Sequence, residues 1–366
     1  MINNKILIFF PRALDINAGG PAGFLAHNLI DKPRDCFSLS NDLCSLQNSL
    51  QKNLYRIKRE LDKILASQFN KEEYQARYIF KKIKADQYQY IYFHEDIDFY
   101  HVKDLIGANQ TVIFQPHCPE LHSAEFLSHN PNDSTKYELI KKAEKAVFER
   151  ADVVVFPNVD CKPIYQELYT DRNKFYYILS GAKRNYNGQN LSKKTLPKDK
   201  INLMYIGRRN QVKGFDIVLE SFRKAYKKNP KLHLILVGNG NKIEEEGITD
   251  IGFSKEPINW YYSVDYLVNA NRQSYFDLSI IEALSTGVPI IMSDNFGHSY
   301  YQNKSSLITT FDVNQSDSLV EILSNLSQKR NYDNLANIEL YENYLTDGHY
   351  HQRLVNFHHD LISQKI

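Results

Sequence analysis

The sequence has 366 residues, with 45 Lys plus Arg against 43 Asp plus Glu, for a net charge of +2. A balance this close to neutral excludes nucleic-acid binding through bulk charge and leaves any cationic function to local patches. The length suits two domains of ordinary size and can bury a sizeable core. Aromatic residues make up 13% of the chain, with 25 Tyr. Such residues serve equally as an aromatic core with wet hydroxyls at its edge or as the walls of a sugar-binding cleft. The cysteines, Cys36, Cys44, Cys118 and Cys161, form no CxxC pair. A zinc site or a redox dithiol is therefore not expected, and a reducing cytoplasm is.

In chain order, the N-terminal "MINNKILIFFPRALD" carries an apolar run of about six residues before Pro11, too short for a signal core or a membrane span. Strands are expected at 5–10, 90–93, 111–115, 152–157, 201–207, 232–238, 264–269 and 289–294. Several are apolar on both faces, as in a parallel sheet covered on both sides. Helical periodicity lies between them. One stripe joins Leu54, Ile57, Leu61 and Leu65, and similar patterns run through "GPAGFLAHNLI", "YELIKKAEKAVFERA" and "FDIVLESFRKAYKKN". This alternation predicts a doubly wound α/β architecture. The polar, aperiodic stretch 183–200 reads as a linker between a first domain, 1–182, and a second, 201–344. Ligands of such sheets bind at the carboxyl ends of the strands, so a cleft between two facing domains is the expected site.

Four motifs carry chemistry. "NAGGPAGFLAHNL" (17–29) follows the first strand, and Gly19 and Gly20 would open a helix whose amides favour an anion. "IGRRNQVKGFDIVLESF" (206–222) ends a strand at Gly207 and sets Arg208 and Lys213 before a helix. A forked Arg, a point-charge Lys and a helix start suit a diphosphate; two solvated surface cations are the plainer alternative. "ILVGNGN" (235–241) places Gly238 and Gly240 in a strand-to-helix turn, either for close approach to a ligand or as an ordinary turn. "NRQSYFDLSIIEALSTGVPII" (271–291) buries one acid, Glu282, among Ile280, Ile281, Ala283 and Leu284. A carboxylate is costly there unless something binds it, and vicinal ribose hydroxyls would. Ser274, Tyr275 and Asp277 occupy the turn before that helix and would face the cleft.

Taken together, these motifs resemble the retaining glycosyltransferases of the GT-B fold, specifically glycosyltransferase family 4. The stretches "ERADVVVFPN" and "IIEALSTGVPIIMSDNFGH" add to the resemblance, which covers most of the chain. It implies two Rossmann-like domains facing across a cleft, with the last helix, 345–366, packing back on the first. Arg208 and Lys213 match the pair that holds the donor diphosphate. Glu282 matches the ribose-binding second acid of the family's E-x7-E motif. Gly207, Gly238, Ser274, Asp277, Leu278 and Ser279 fall on the donor side, and Gly19 and Gly20 near the leaving phosphate. His117, in "FQPHCPE", falls where the family has a cleft histidine, although a hydrogen-bonded structural histidine would look the same. The first motif acid is replaced by Ser274, with Asp277 as its nearest substitute.

The resemblance implies transfer of a sugar from a nucleotide diphosphate sugar, UDP favoured and GDP left open, to a glycan or lipid-linked glycan, in bacterial surface polysaccharide synthesis. No metal and no cofactor beyond the substrate are expected. The D-x-D at Asp96 and Asp98 reads as structural, with His94 and Glu95 facing the acceptor. The basic stretch 52–84 carries Lys52, Arg56, Lys58, Arg59, Lys63, Arg77, Lys81, Lys82 and Lys84. It would give a cytoplasmic chain a peripheral contact with an anionic membrane surface, unless Glu60, Asp62, Glu72 and Glu73 simply balance it as a solvated face. A sugar-nucleotide epimerase and a non-catalytic binding subunit are the rival functions.

Overall fold

The computed structural model describes residues 3–45, 71–184, 191–315 and 317–366, and every paired strand in it runs parallel to its neighbours. The first sheet comprises β1 (Asn3–Phe9), β2 (Phe37–Leu39), β3 (Tyr88–Phe93), β4 (Thr111–Phe114), β5 (Val153–Phe156) and β6 (Lys174–Tyr177), in the order β2-β1-β3-β4-β5-β6. The second comprises β7 (Ile201–Ile206), β8 (Leu232–Val237), β9 (Ile248–Gly252), β10 (Tyr266–Asn269), β11 (Ile290–Ser293) and β12 (Ile308–Phe311), in the order β12-β11-β10-β7-β8-β9.

Successive residues of the second sheet feed opposite cores. Leu203, Leu234 and Val268 join Val218 and Phe222 of the helix Phe215–Lys228. Met204, Ile235 and Leu267 join Ile280, Ile281 and Leu284 of the helix Leu278–Thr286. The inner strands are largely apolar because helices cover both faces, and β8 is buried at every position.

The chain divides into two compact units: 1–156, 164–178 and 351–366 form the first, and 157–163 with 179–350 the second. This differs from boundaries at 182 and 201. Residues 191–200 form no helix or strand, yet they are not a free tether. The Ser192 amide donates to Asn259 Oδ1 at 3.1 Å and the Lys194 amide to Ser263 Oγ at 2.8 Å, docking the stretch on the second unit.

The final helix, Asp347–Ile362, enters the first unit only from His351 onward, later than the expected 345. There Tyr176 donates to Asp360 Oδ2 at 2.7 Å, and the Phe357 ring lies 4.6 Å from that of Tyr176.

The stripe Leu54–Leu65 and the basic residues from Lys52 to Lys63 lie outside the described residues. Of the basic stretch, Arg77 pairs with Asp104 in a two-point contact at 2.5 and 2.7 Å, so its charge is already matched within the protein. No helix among the described residues is long and apolar enough to cross a membrane.

Candidate functional site

In each sheet the connections leave in opposite directions from one pair of neighbouring strands, β1 and β3 in the first and β7 and β10 in the second. Loops leaving the carboxyl ends of such a pair splay apart and leave a crevice where ligands of open α/β sheets bind. Three of the four sequence motifs fall on these loops, and the fourth, with Gly238 and Gly240, follows β8.

In the second unit, the loop after β7 (207–214) meets the loop after β10 (270–277). The Arg272 amide donates to Val212 O at 2.9 Å. Gly214 sits at φ 60°, and a Cβ there would come within 1.8 Å of Ala270 O. Only glycine permits that approach. Lys213 Nζ then reaches Asp277 Oδ1 at 2.8 Å. Asp277 also accepts from Asn271 Nδ2 at 2.7 Å and His298 Nε2 at 3.1 Å. Burial works to raise the Asp277 carboxyl, but Lys213 and His298 outweigh it and hold the group well below the usual carboxylate range. Lys213 is therefore already matched by an anion within the protein.

Asp277 precedes the helix Leu278–Thr286 without capping it through its side chain. Its carbonyl accepts from the amides of Ile280 and Ile281. The first-turn amides of Leu278 and Ser279 have no carbonyl in a preceding turn to bond, the general condition of a helix start and a seat for an anion. One turn on, Glu282 is partly buried. Burial pushes its carboxyl up to about 7. The buried Tyr261 lies near enough to feel that charge, and its hydroxyl finds no hydrogen-bond partner among the described residues.

Ser274 does not face outward as expected. It is fully buried, and its hydroxyl donates to Asn295 O while accepting from the His298 amide at 3.0 Å. Both bonds tie the loop after β11 to the loop after β10, so the hydroxyl is spent on backbone. Tyr275 is buried as well. His298, fully buried, was missed in the sequence, although it closes the stretch "IIEALSTGVPIIMSDNFGH" that adds to the resemblance.

The two arginines of the motif part ways. Arg208 is exposed, and its carbonyl accepts from the Tyr205 hydroxyl at 2.5 Å. Arg209, not singled out in the sequence, turns inward to a two-point contact with Asp250 at 2.5 and 2.7 Å and holds that carboxyl at about 2. It also donates to the carbonyls of Gly238 and Asn241, bracing the turn after β8. Gly238 presses against the turn after β7: a Cβ there would stand 2.1 Å from Gly207 O. Gly238 thus has a packing reason of its own, and Gly207 a backbone one, its φ of 144°.

In the first unit, Gly19 precedes the helix Gly20–Leu29, with a proline in its first turn. A Cβ at either glycine would meet nothing within 4 Å. Phe24 of that helix lies 4.7 Å, ring to ring, from His117, which follows β4. His117 Nε2 is 2.8 Å from Nδ1 of His94, the residue after β3. Burial pushes His117 down to about 3 and lowers His94 as well, so both rings are neutral at physiological pH.

His94 is 1% exposed and cannot itself touch an acceptor, against the sequence expectation. Glu95 pairs with Arg12 at 2.8 Å. The D-x-D carboxylates go to different partners: Asp98 takes Arg12 in a fork at 3.0 and 2.7 Å, and Asp96 takes His122 Nδ1 at 2.9 Å. Burial works to lower the His122 imidazole, but Asp96 outweighs it and lifts it to about 9.

Residues 200–329 match the family model described as "Glycosyl transferases group 1". An uncharacterized glycosyltransferase of Methanocaldococcus jannaschii is 25% identical over 46% of this chain and 47% of its own length. The O-antigen biosynthesis glycosyltransferase WclY of Escherichia coli is 23% identical over 44% and 52%. The matches thus span about half the length of these curated relatives. Among solved structures, Anabaena HepE in complex with UDP-glucose superposes with a TM-score of 0.62 at 16% identity, over 96% of this chain and 98% of that one. A sucrose-phosphate synthase from Thermosynechococcus elongatus superposes at 0.59 and 18%, over 79% and 78%. The chain thus has the α/β fold of GT-B glycosyltransferases, and its second unit matches the group 1 glycosyl transferase model.

Proposed function

We propose that this chain is a glycosyltransferase that moves a sugar from a nucleotide diphosphate sugar to a hydroxyl of a glycan or lipid-linked glycan. The observation that carries the reading is the meeting of Lys213 with the start of the helix Leu278–Thr286 at the β7–β10 switch point, with Glu282 one turn further on. That set offers a cation and helix amides for a diphosphate, and a carboxylate for the ribose diol. It lies inside the segment that matches the family model.

UDP is the favoured nucleotide, with GDP left open. HepE is solved with UDP and with UDP-glucose, which supports this choice. The name of the WclY relative supports a place in bacterial surface polysaccharide synthesis. The proposed chemistry is retaining and needs no metal. The acceptor oxygen bonds to the anomeric carbon as the bond to the diphosphate oxygen breaks, and the acceptor proton passes to the departing phosphate. Negative charge grows on the diphosphate in that step. Lys213, Arg208 and the amides of Leu278 and Ser279 would stabilise it, as preorganised donors do most effectively away from water. In the first unit, His117 would offer a hydrogen bond to a sugar substrate, with Gly19 and Gly20 leaving room for its backbone approach. A cytoplasmic setting with a peripheral membrane contact through 52–84 completes the reading.

Its test is a thermal-shift panel with UDP, GDP, ADP and CMP on the wild type and on Glu282→Ala. A ligand at 100-fold over its dissociation constant adds about 2.7 kcal/mol. The expected result is a shift with one nucleotide diphosphate that Glu282→Ala abolishes; no shift with any nucleotide would overturn the donor assignment. Ser274 favours one second reading. With no carboxylate at that position and its hydroxyl consumed by backbone, the chain would bind nucleotide without transferring sugar. That reading predicts a nucleotide shift but no nucleotide release from any donor sugar.

A further inference from the structure

His94 has no direct part in the function proposed above, yet it is one of the most constrained polar groups in the first unit. It is 1% exposed, its ring lies 4.4 Å from that of Tyr92, and its Nδ1 faces His117 Nε2 at 2.8 Å. Its other nitrogen, Nε2, is buried and finds no hydrogen-bond partner among the described residues. His117 is the partly exposed member of the pair.

Two neutral imidazoles at this distance share one proton in one of two ways. In the first, His117 Nε2–H donates to His94 Nδ1. His94 must then carry its own proton on Nε2, a buried N–H with nothing to receive it. In the second, His94 Nδ1–H donates to His117 Nε2, and the orphaned atom on His94 is only a lone pair. Orphaned buried N–H groups are rarer and costlier than under-used acceptors. The second arrangement also leaves His117 with its proton on Nδ1, the nitrogen turned away from His94.

We infer that His94 is a positioning residue that fixes His117 in the Nδ1–H form, so that His117 presents an obligatory hydrogen-bond donor to an oxygen of the sugar substrate. The chemistry is that of an outer partner setting the tautomer and orientation of a working histidine. A neutral donor suits a sugar hydroxyl or ring oxygen and adds no charge to compete for the diphosphate. The part played by His117 toward substrate rests on the glycosyltransferase reading, whereas its tautomer does not.

The experiment is long-range proton–nitrogen correlation NMR on the full chain labelled at histidine nitrogen, with His117 assigned by its disappearance in His117→Gln. The expected wild-type pattern is a protonated Nδ1 and a bare Nε2 on His117. His94→Phe keeps a ring in the pocket but removes the donor, and should mix or reverse that pattern. His94→Asn puts an amide N–H near the place of Nδ1–H and should restore it. With the donor identified by the nucleotide panel, His94→Phe should lower kcat by about tenfold with KM little changed, the scale of losing such a partner, and His94→Asn should recover part of it. A protonated Nε2 on wild-type His117 would overturn the inference, and so would a pattern indifferent to His94→Phe. If the spectra are as expected but His117→Gln turns over normally, the substrate role of His117 falls while its fixed tautomer stands.

Discussion

Glu282 shows how one side chain ties stability to binding. Burial lifts its carboxyl from 4.5 to about 7. Because the folded protein holds that proton more tightly than the unfolded chain, the group's favourable share is complete below 4.5 and is lost as pH rises through about 7, an effect of at most about 3 kcal/mol. If the carboxylate form holds a ribose diol, as proposed, nucleotide binding must expel the proton. Affinity should therefore climb by up to about tenfold per pH unit toward about 7 and flatten above it. Calorimetry in buffers of different ionisation enthalpy reads the proton directly, and Glu282→Gln should bind weakly and without the slope. A wild-type affinity level across this range would remove Glu282 from the ribose. The sequence already marked this acid, because a lone carboxylate in an apolar helix face stands out. It could not show that Ser274 is spent on Asn295 O and the His298 amide. Those partners lie more than twenty positions on, and nothing local to Ser274 points to them.

At the scale of elements, the strands read from sequence are the inner ones, and those it missed are β2, β6, β9 and β12, the edges of the two sheets. For β6 and β9 the cause is burial, whereas β2, although buried at Phe37 and Leu39, is only three residues long. An inner strand such as β5 is buried at every residue and announces itself as an apolar run. The edge strand β6, "KFYY", has no fully buried position, and β9 alternates half-buried with exposed residues. Edge strands gain their place from backbone pairing along one side, which composition does not record. The loops were legible for a different reason, since glycine marks where backbones meet. Gly214→Ala is therefore a sharp test of the element contact. The new methyl would overlap Ala270 O, at 1.8 Å, on a backbone already in the left-handed region. The loops after β7 and β10 would have to part. We expect a stability loss of at least about 2 kcal/mol in urea titration. We also expect the nucleotide shift to vanish, because Lys213 would no longer register with the start of the helix Leu278–Thr286. A variant that loses stability but binds nucleotide normally would show that this approach serves the fold alone.

At the scale of the whole molecule, the order of elements along the chain does not match their grouping in space. Residues 157–163 belong to the second unit and 351–366 to the first, so the chain crosses between units several times. Sequence reading placed a single hinge where composition turned polar, at 183–200. The resemblance also implied the return of the last helix to the first domain, but neither showed the excursion of 157–163 into the second unit, which turns back inside the short helix Val159–Leu168. Whether the units open independently can be asked through the last helix, Asp347–Ile362. Phe357 is fully buried, and its ring lies 4.6 Å from Tyr176 and 6.2 Å from Tyr92. Phe357→Ala should cost about 3–5 kcal/mol of local stability, the usual loss for a buried phenyl ring. If each unit is its own cooperative block, amide hydrogen exchange should quicken in β1, β3 and β6 and stay unchanged in β7, β8 and β11. Equal quickening in both sets would mean that the crossings weld the units into one unfolding step, and that a helix assigned to one unit sets the stability of the other.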